Sequence, residues 1–263
     1  MRNFKNSGVL MIRVPKSIKK YIEGKTYHVD QIGQSGTSVY IFDEFVLKIG
    51  KINQENIREY EMLLWLVDKL EVPKVLHFEK TRTMTYLVME RMDGAPSFTL
   101  AYEQAIEVAC QGMKKLWKID TATFPYPNSK KDALTYIKDN VIHFEKELIK
   151  NADSDTYTNE SFKNPRELYQ WLENNYPNTE HTVFSHGDYF LSNILVKNHK
   201  IVSLIDFGLA GLYPRERDIA QLIKSLNYNY KEEKRHHELI SRHLQVEINW
   251  DLVHYFKLYD ELI

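Results

Sequence analysis

Apolar and polar residues alternate through much of the first third of the chain, a pattern typical of strands that bury one face. The alternating segments are residues 26–32, 39–42, 45–49, 75–78 and 84–89. Between the third and fourth of them, residues 54–70 repeat apolar side chains at helical spacing, and Pro73 follows. A short helix is also expected over residues 15–24. We therefore predict a five-stranded antiparallel sheet accompanied by helices.

The remainder of the chain has mainly helical periodicity. Residues 90–96 separate the two patterns, and we interpret them as a hinge between lobes at residues 1–90 and 91–263. One predicted hairpin interrupts the helices, with strands at residues 194–197 and 201–205 around a tight turn at Asn198 and His199. The predicted helices span residues 99–117, 131–148, 166–172, 214–226, 232–244 and 250–263. The fold class is therefore predicted to be α+β.

Composition excludes several classes of protein. The 263 residues are 43% hydrophobic and 27% charged with a formal net charge of −1, so no basic surface for nucleic acid is expected. The apolar run at residues 9–12 is too short for a signal peptide or a membrane span, and we expect a cytoplasmic protein without membrane contact. Cys110 is the single cysteine, which excludes an internal disulfide and a cysteine-based zinc site.

Candidate chemistry lies around the predicted hairpin. His186-Gly187-Asp188 is followed after four residues by Asn193, and Asp206-Phe207-Gly208 comes directly after the second strand. This spacing is that of a kinase catalytic loop, in which a carboxylate receives the hydroxyl proton and further oxygen ligands hold magnesium. We predict Asp188 as the base, with Asn193 and Asp206 as metal ligands. The alternative is a pair of turns in which Gly208 supplies a positive φ.

The hairpin favours the catalytic interpretation, because it would bring Asn193 and Asp206 to the same end, side by side. Two oxygen ligands of this kind suit Mg²⁺, which keeps several waters when bound.

A second group of candidates lies in the predicted sheet. Lys48 ends the strand segment Val46-Leu47-Lys48, a pattern in which the lysine binds nucleotide phosphates. Glu59 on the following helix could pair with it, and Glu61 is the alternative partner. Residues 33–38 stand where a glycine-rich phosphate loop would be, although only Gly33 and Gly36 match that pattern. A plain hairpin loop would look the same.

Acidic residues concentrate between two of the predicted helices, in residues 151–160. Asp153, Asp155 and Glu160 lie in this loop. It is either a solvated linker or a lid that offers negative charge to a cationic substrate.

Beyond these motifs, the chain resembles the aminoglycoside O-phosphotransferases of the 3'-hydroxyl type, antibiotic-resistance kinases with a protein-kinase-like fold. The resemblance runs nearly end to end, and the His-Gly-Asp form of the catalytic loop is the family's own. The other similar stretches are residues 62–66, 72–79, 162–169 and 260–262.

The resemblance implies a two-lobed enzyme that transfers the γ-phosphate of ATP, or alternatively GTP, to a sugar hydroxyl with Mg²⁺. Residues 1–90 would bind the nucleotide, and residues 91–263 would form a helical lobe for catalysis and substrate binding. The residues implied to contact nucleotide are Lys48, Glu59, Gly33, Ser35, Gly36, Glu90, Met92 and Ile205. Those implied to hold a cationic substrate are Asp155, Asp260, Glu261 and the terminal carboxylate of Ile263. The protein is expected to be a monomer or a weak dimer.

Three departures from the family concern its binding residues. Leu209 replaces an arginine, Tyr228 replaces an acid, and Val46 replaces an adenine-stacking tyrosine; the acids of the loop at residues 151–160 also do not align individually. A kinase of another small hydroxylated metabolite, such as choline or a sugar, is therefore the alternative function. A non-catalytic nucleotide-binding module is disfavoured, because such a module needs no base.

Overall fold

The structure, a computed structural model, describes residues 14–30, 37–126, 129–158, 161–178, 182–231 and 233–263. Within it the chain forms two compact units. The first unit contains the described residues up to Ala95 together with Leu195–Leu209, and the second contains Pro96–Ile194 and Ala210–Ile263. The predicted assignment of nucleotide binding to residues 1–90 and of catalysis to residues 91–263 stays a prediction.

A five-stranded antiparallel sheet of order β1-β2-β3-β5-β4 forms the centre of the first unit, as predicted. Its core contains Phe42, Phe45, Leu47 and Val88, and helix α1 adds the fully buried Ile18. The elements are α1 (Lys16–Ile22), β1 (His28–Asp30), β2 (Ser38–Ile41), β3 (Phe45–Lys51), α2 (Gln54–Leu66), β4 (Val75–Lys80), β5 (Met84–Glu90) and the two-residue β6 (Ala95–Pro96).

Helix α2 is capped by Asn53, whose side chain accepts a hydrogen bond from the backbone N–H of Asn56. It ends at Leu66 rather than at residue 70 as predicted. The backbone N–H groups of Lys69 and Leu70 both donate to the Leu66 carbonyl, so the chain closes in a tight turn.

The predicted hairpin is confirmed as β8 (Ile194–Lys197) and β9 (Lys200–Leu204). Asn198 and His199 have φ of 51° and 60°, the left-handed backbone that a type I′ turn requires at both central positions. The backbone N–H of Leu204 donates to the Glu71 carbonyl at 3.1 Å, which fastens the hairpin within the first unit.

Helices make up most of the second unit. Helix α7 is its most buried helix and packs against α9, while α3 packs against α8. The elements are α3 (Tyr102–Leu116), α4 (Ser129–His143), α5 (Glu145–Asn151), α6 (Pro165–Asn174), β7 (Val183–Ser185), β10 (Gly211–Tyr213), α7 (Glu216–Asn229), α8 (His236–Leu244) and α9 (Trp250–Asp260). Strands β7 and β10 pair antiparallel.

Two further expectations for this unit can be compared with the structure. The single helix predicted over residues 131–148 is two helices, because Phe144 leaves helical geometry with φ −130° and ψ 26°. The sequence Asn164-Pro165 predicts an N-cap residue and a proline at the first helical position. This is confirmed for α6, since the Asn164 side chain accepts from the Glu167 N–H and Pro165 opens the helix. The α+β class is also confirmed. In the described part of the chain, no helix is long and apolar enough to cross a membrane.

Candidate active site

Lys48 lies on β3 between β2 and β5, with its side chain only 13% exposed. Its Nζ is 2.6 Å from Glu59 Oε1 and 3.3 Å from Asp206 Oδ1. The helical pattern allowed Glu59 or Glu61 as the partner of Lys48, and the structure shows that it is Glu59. All three residues belong to the first unit.

The charge on Lys48 is fixed by this environment. Burial by itself would lower the pKa of Lys48, but the carboxylates of Asp206 and Glu59 raise it above its usual range. The ammonium is therefore protonated at neutral pH. A buried cation held between two carboxylates is a rigid point charge that suits a phosphate oxygen.

Asp206 has a left-handed backbone, with φ of 70°. The turn interpretation placed positive φ at Gly208 instead, and that part of it is wrong. Gly208 lies close to α2 instead, since a Cβ there would be 2.6 Å from Glu55 Cγ and 3.1 Å from the Glu55 carbonyl oxygen. Since non-glycine residues with positive φ cluster at functional sites, the geometry of Asp206 supports a specific role. Its side chain is 39% exposed, so the carboxylate is also accessible to a ligand.

The second unit contains Asp188 and Asn193. Asn193 Nδ2 donates to Asp188 Oδ2 at 2.7 Å and to the Asp188 carbonyl at 2.9 Å. The amide group therefore fixes the Asp188 carboxylate and leaves its own oxygen as the acceptor atom. Ser192 Oγ donates to that oxygen at 3.3 Å. Gly187, with φ of 80°, provides the left-handed position that the loop needs before Asp188.

Helix α7 holds the loop through three polar side chains. Asp218 Oδ1 accepts from Ser185 Oγ at 2.8 Å and from the His186 N–H at 3.1 Å, so this carboxylate holds the backbone of the loop. Gln221 accepts from the Tyr189 N–H at 2.9 Å and donates to the Gly187 carbonyl at 2.6 Å.

Ser225 Oγ completes this set by accepting from the Leu191 N–H at 3.0 Å. Gln221 and Ser225 were missed in the sequence. The signal that could have found them is their spacing, because residues 218, 221 and 225 are separated by three and four positions and so lie on one face of the helix.

Asp218 is buried and also accepts from Trp117 Nε1 at 2.8 Å. Burial raises the pKa of Asp218 to about 6, and the hydrogen bonds from Trp117 and Ser185 oppose that rise.

Three of the other residues predicted to contact nucleotide lie within the described part of the first unit. Glu90 ends β5 and is exposed, while Met92 and Ile205 are half-buried in the first unit. Their contacts with a nucleotide stay predictions. Gly33, Ser35 and Gly36 lie outside the described residues.

Two of the predicted substrate carboxylates, those of Asp260 and Glu261, are bound by another residue of the chain. Lys224 Nζ on α7 lies 2.8 Å from Asp260 Oδ2 and 2.9 Å from Glu261 Oε1. Sequence reasoning missed Lys224. Asp155 is exposed, and Ile263 is half-buried at the chain end.

Comparison with known proteins places this geometry in context. The phosphotransferase enzyme family matches residues 26–245. An aminoglycoside 3'-phosphotransferase of Enterococcus faecalis is 32% identical over 95% of this chain and 98% of its own length.

Two solved structures share the fold. One is an aminoglycoside 3'-phosphotransferase of type VIII, with a TM-score of 0.75 at 19% identity over 94% of this chain and 97% of its own. The other is an aminoglycoside phosphotransferase from Streptomyces rimosus in complex with ADP and streptomycin. Its TM-score is 0.72 at 18% identity, over 88% of this chain and 94% of its own.

Proposed function

Since the chain belongs to the phosphotransferase enzyme family, we propose that it transfers the γ-phosphate of ATP to a hydroxyl of an aminoglycoside. The 3'-hydroxyl is the proposed acceptor, because relatives at 31–32% identity are named aminoglycoside 3'-phosphotransferases. The observation that carries the proposal is the Asp188 carboxylate, which Asn193 fixes at 2.7 Å in a loop anchored by α7.

Asp188 is the proposed base. Its oxygen would receive the proton of the acceptor hydroxyl while that oxygen attacks the γ-phosphorus and the bond to the β-phosphate oxygen breaks. The hydrogen bond from Asn193 orients the carboxylate so that it need not reorganise during the reaction.

Lys48 is proposed to bind nucleotide phosphate oxygens, with Glu59 holding its ammonium in place. Ser35, Gly33 and Gly36 are proposed to lie near the phosphates, and Glu90, Met92 and Ile205 near the base. These are the roles that the family pattern assigns to these positions.

Asn193 and Asp206 are the proposed ligands of Mg²⁺. An amide oxygen and a carboxylate are hard oxygen donors that fit this ion. The part of the chain that the structure describes contains no group of three or more histidine, cysteine or acidic side chains that could hold a metal ion. One or two protein ligands are sufficient for Mg²⁺, because the ion usually keeps several waters and also binds the phosphates of the substrate. When bound, Mg²⁺ would neutralise charge on the phosphates.

Asp155, Asp260, Glu261 and the terminal carboxylate of Ile263 are proposed to line the acceptor region. Negative charge favours a polycationic drug. A kinase of choline or of a sugar is the second candidate, and relatives named for aminoglycosides do not favour it.

The test is turnover of ATP or GTP with Mg²⁺ against a panel of aminoglycosides, choline and simple sugars, with products identified by mass. We expect one added phosphate on a drug that has a 3'-hydroxyl and none on its 3'-deoxy analogue. Phosphorylated choline or sugar without phosphorylated drug would replace the proposal by the second candidate.

The first prediction is that Asp188→Asn lowers kcat roughly 10²- to 10⁴-fold, the usual cost of removing a positioned base. Nucleotide affinity, measured by calorimetry, should change little. Asp139→Asn on α4 is the matched control, because it makes the same chemical change at an exposed position of the same unit. Normal turnover by Asp188→Asn would contradict the assignment of the base.

A further inference from the structure

Lys224 makes a closed polar network with the two acidic residues at the chain end. Its Nζ contacts Asp260 Oδ2 at 2.8 Å and Glu261 Oε1 at 2.9 Å. The second oxygen of each carboxylate is also engaged, since Gln221 Nε2 donates to Asp260 Oδ1 at 3.3 Å and the Asp153 N–H donates to Glu261 Oε2 at 2.8 Å. Every carboxylate oxygen of the pair therefore has a donor from the protein itself.

The network is shielded from water. The side chains of Lys224, Asp260 and Glu261 are 24%, 9% and 3% exposed. Burial would lower the pKa of Lys224, but Asp260 and Glu261 raise it above its usual range. Lys224 is therefore a permanent cation at neutral pH. Its attraction to the two carboxylates is little weakened by solvent at this depth.

Resting on the function proposed above, we infer that Lys224 is a specificity-determining residue. It supplies from within the chain the ammonium group that a cationic acceptor would otherwise bring to Asp260 and Glu261. An acceptor ammonium must compete with Lys224 for these carboxylates, so the enzyme favours acceptors that carry a hydroxyl or an uncharged group at that position.

Tyr157 is a neutral neighbour of this network. Its hydroxyl oxygen is buried and has no hydrogen-bond partner among the described residues. Burial and the negative charge of the nearby Glu261 carboxylate raise the pKa of Tyr157. The phenol is therefore neutral at neutral pH. The neutral phenol therefore adds no charge to the surroundings of Glu261.

The alternative is that Lys224 only stabilises the chain end and has no influence on the acceptor. The two interpretations differ in how Lys224 couples to one ammonium group of the ligand. A double-mutant cycle between the protein and the ligand measures that coupling.

The experiment measures Kd by calorimetry for kanamycin and for a set of its mono-N-acetyl derivatives, each lacking one ammonium charge. Wild type, Lys224→Met and Lys224→Arg are compared. We expect Lys224→Met to bind kanamycin about tenfold more tightly, the effect of one partly buried charge pair. For one of the derivatives this gain should disappear, and Lys224→Arg should behave as wild type because it keeps the charge. An equal change for kanamycin and all derivatives, or weaker binding of kanamycin, would overturn the inference.

Lys224→Met could fail to fold, because it removes the counterion of two buried carboxylates. Wild type, which keeps Lys224, then decides the question through its ligands alone. We expect one mono-N-acetyl derivative to bind wild type at least as tightly as kanamycin does, because the ammonium group that it lacks would have competed with Lys224. A loss of about tenfold for every derivative would show that no ammonium group of the drug meets this competition and would overturn the inference.

Calorimetry separates this inference from the proposed function, because it needs no turnover. Absence of any phosphorylated drug together with tighter kanamycin binding by Lys224→Met would reject the function and support the role of Lys224. Phosphorylation of a drug whose binding is unaffected by Lys224→Met would support the function and reject the role of Lys224.

Discussion

Lys48 shows how much a single residue depends on its partners. A lysine on a strand usually extends into solvent, but this one is bound at 2.6 Å to Glu59 and at 3.3 Å to Asp206. The two carboxylates orient the ammonium and keep it protonated. Position and charge are both determined before any ligand binds, which is the condition for strong electrostatic stabilisation.

Lys48→Met should lower kcat/KM for ATP roughly 10²-fold, because it removes a preorganised positive charge. Lys51→Met at the end of the same strand is the control, since that residue is exposed. The pKa of Lys48 is raised, so its ionic contribution is fully present below the normal lysine pKa and is lost only at higher pH. Steady-state kinetics between pH 6 and 9 should therefore show no titration from Lys48. A titration that wild type and Lys51→Met show but Lys48→Met does not would contradict this view.

At the scale of elements, α7 and the β8–β9 hairpin carry the catalytic segments. Helix α7 contacts the backbone of the loop through Asp218, Gln221 and Ser225, so the loop conformation depends on one rigid helix. The hairpin fixes Asp206 by ending just before it. Sites supported by helices and strands are held more firmly than sites on free loops.

Asp218→Asn should destabilise the protein by about 2–4 kcal/mol, since it disrupts a buried acceptor that serves three donors. The raised pKa of Asp218 also gives a pH signature. Its stabilising contribution is fully present below the unfolded carboxyl pKa near 4 and is lost as pH rises through about 6.

Denaturant unfolding between pH 4 and 7 tests both statements. Titration of Asp218 should lower the free energy of unfolding of wild type as pH rises through about 6. This dependence on pH should be missing in Asp218→Asn. Glu173→Gln, an exposed acid on α6, should leave the slope unchanged. An identical slope in wild type and Asp218→Asn would show that Asp218 does not titrate in this range.

His199→Gly should stabilise the hairpin by roughly 0.5–1 kcal/mol, because glycine adopts positive φ without steric cost and completes an Asn-Gly type I′ turn. Thermal unfolding measures the change. Lys200→Gly, one residue later in β9, is the control and should destabilise instead, since glycine in a strand loses conformational entropy. A lower melting temperature for His199→Gly would contradict the turn geometry.

At the scale of the whole molecule, the first unit is not one continuous segment. It includes Leu195–Leu209, a segment that follows Pro96–Ile194 of the second unit in sequence. The chain therefore passes from one unit to the other after residues 95, 194 and 209. Lys48 and Asp206 are therefore 158 positions apart in sequence but 3.3 Å apart in space. The first unit can bind phosphates as proposed only when both segments are folded together.

Mg²⁺ with ADP should raise the melting temperature of the intact chain by roughly 5–10 °C at a concentration near 100 times Kd, from mass action on the folded state. Thermal unfolding with ADP and EDTA gives the metal-independent part. Asp206→Asn should lose the metal-dependent part, while Asp93→Asn, an exposed aspartate of the same unit, should keep it. Equal stabilisation of Asp206→Asn and wild type would remove Asp206 from the metal site.

The sequence by itself determined what depends on local spacing. The strand and helix periods, the hairpin turn, the cap at Asn164 and the spacing of Asp188 and Asn193 all act within a few residues, where backbone geometry fixes the outcome. The sequence also led to the family, because its motifs lie in one order over nearly the whole chain.

Tertiary structure alone decided which distant side chains meet. Helical spacing allowed both Glu59 and Glu61 to face the sheet, and only packing selected Glu59. Nothing near Lys224 in sequence reveals that it reaches Asp260 and Glu261, which follow 36 and 37 residues later. Such pairs form where the folding of the whole unit brings their elements together and excludes water, and this determines which carboxylates already have a cation before any substrate binds.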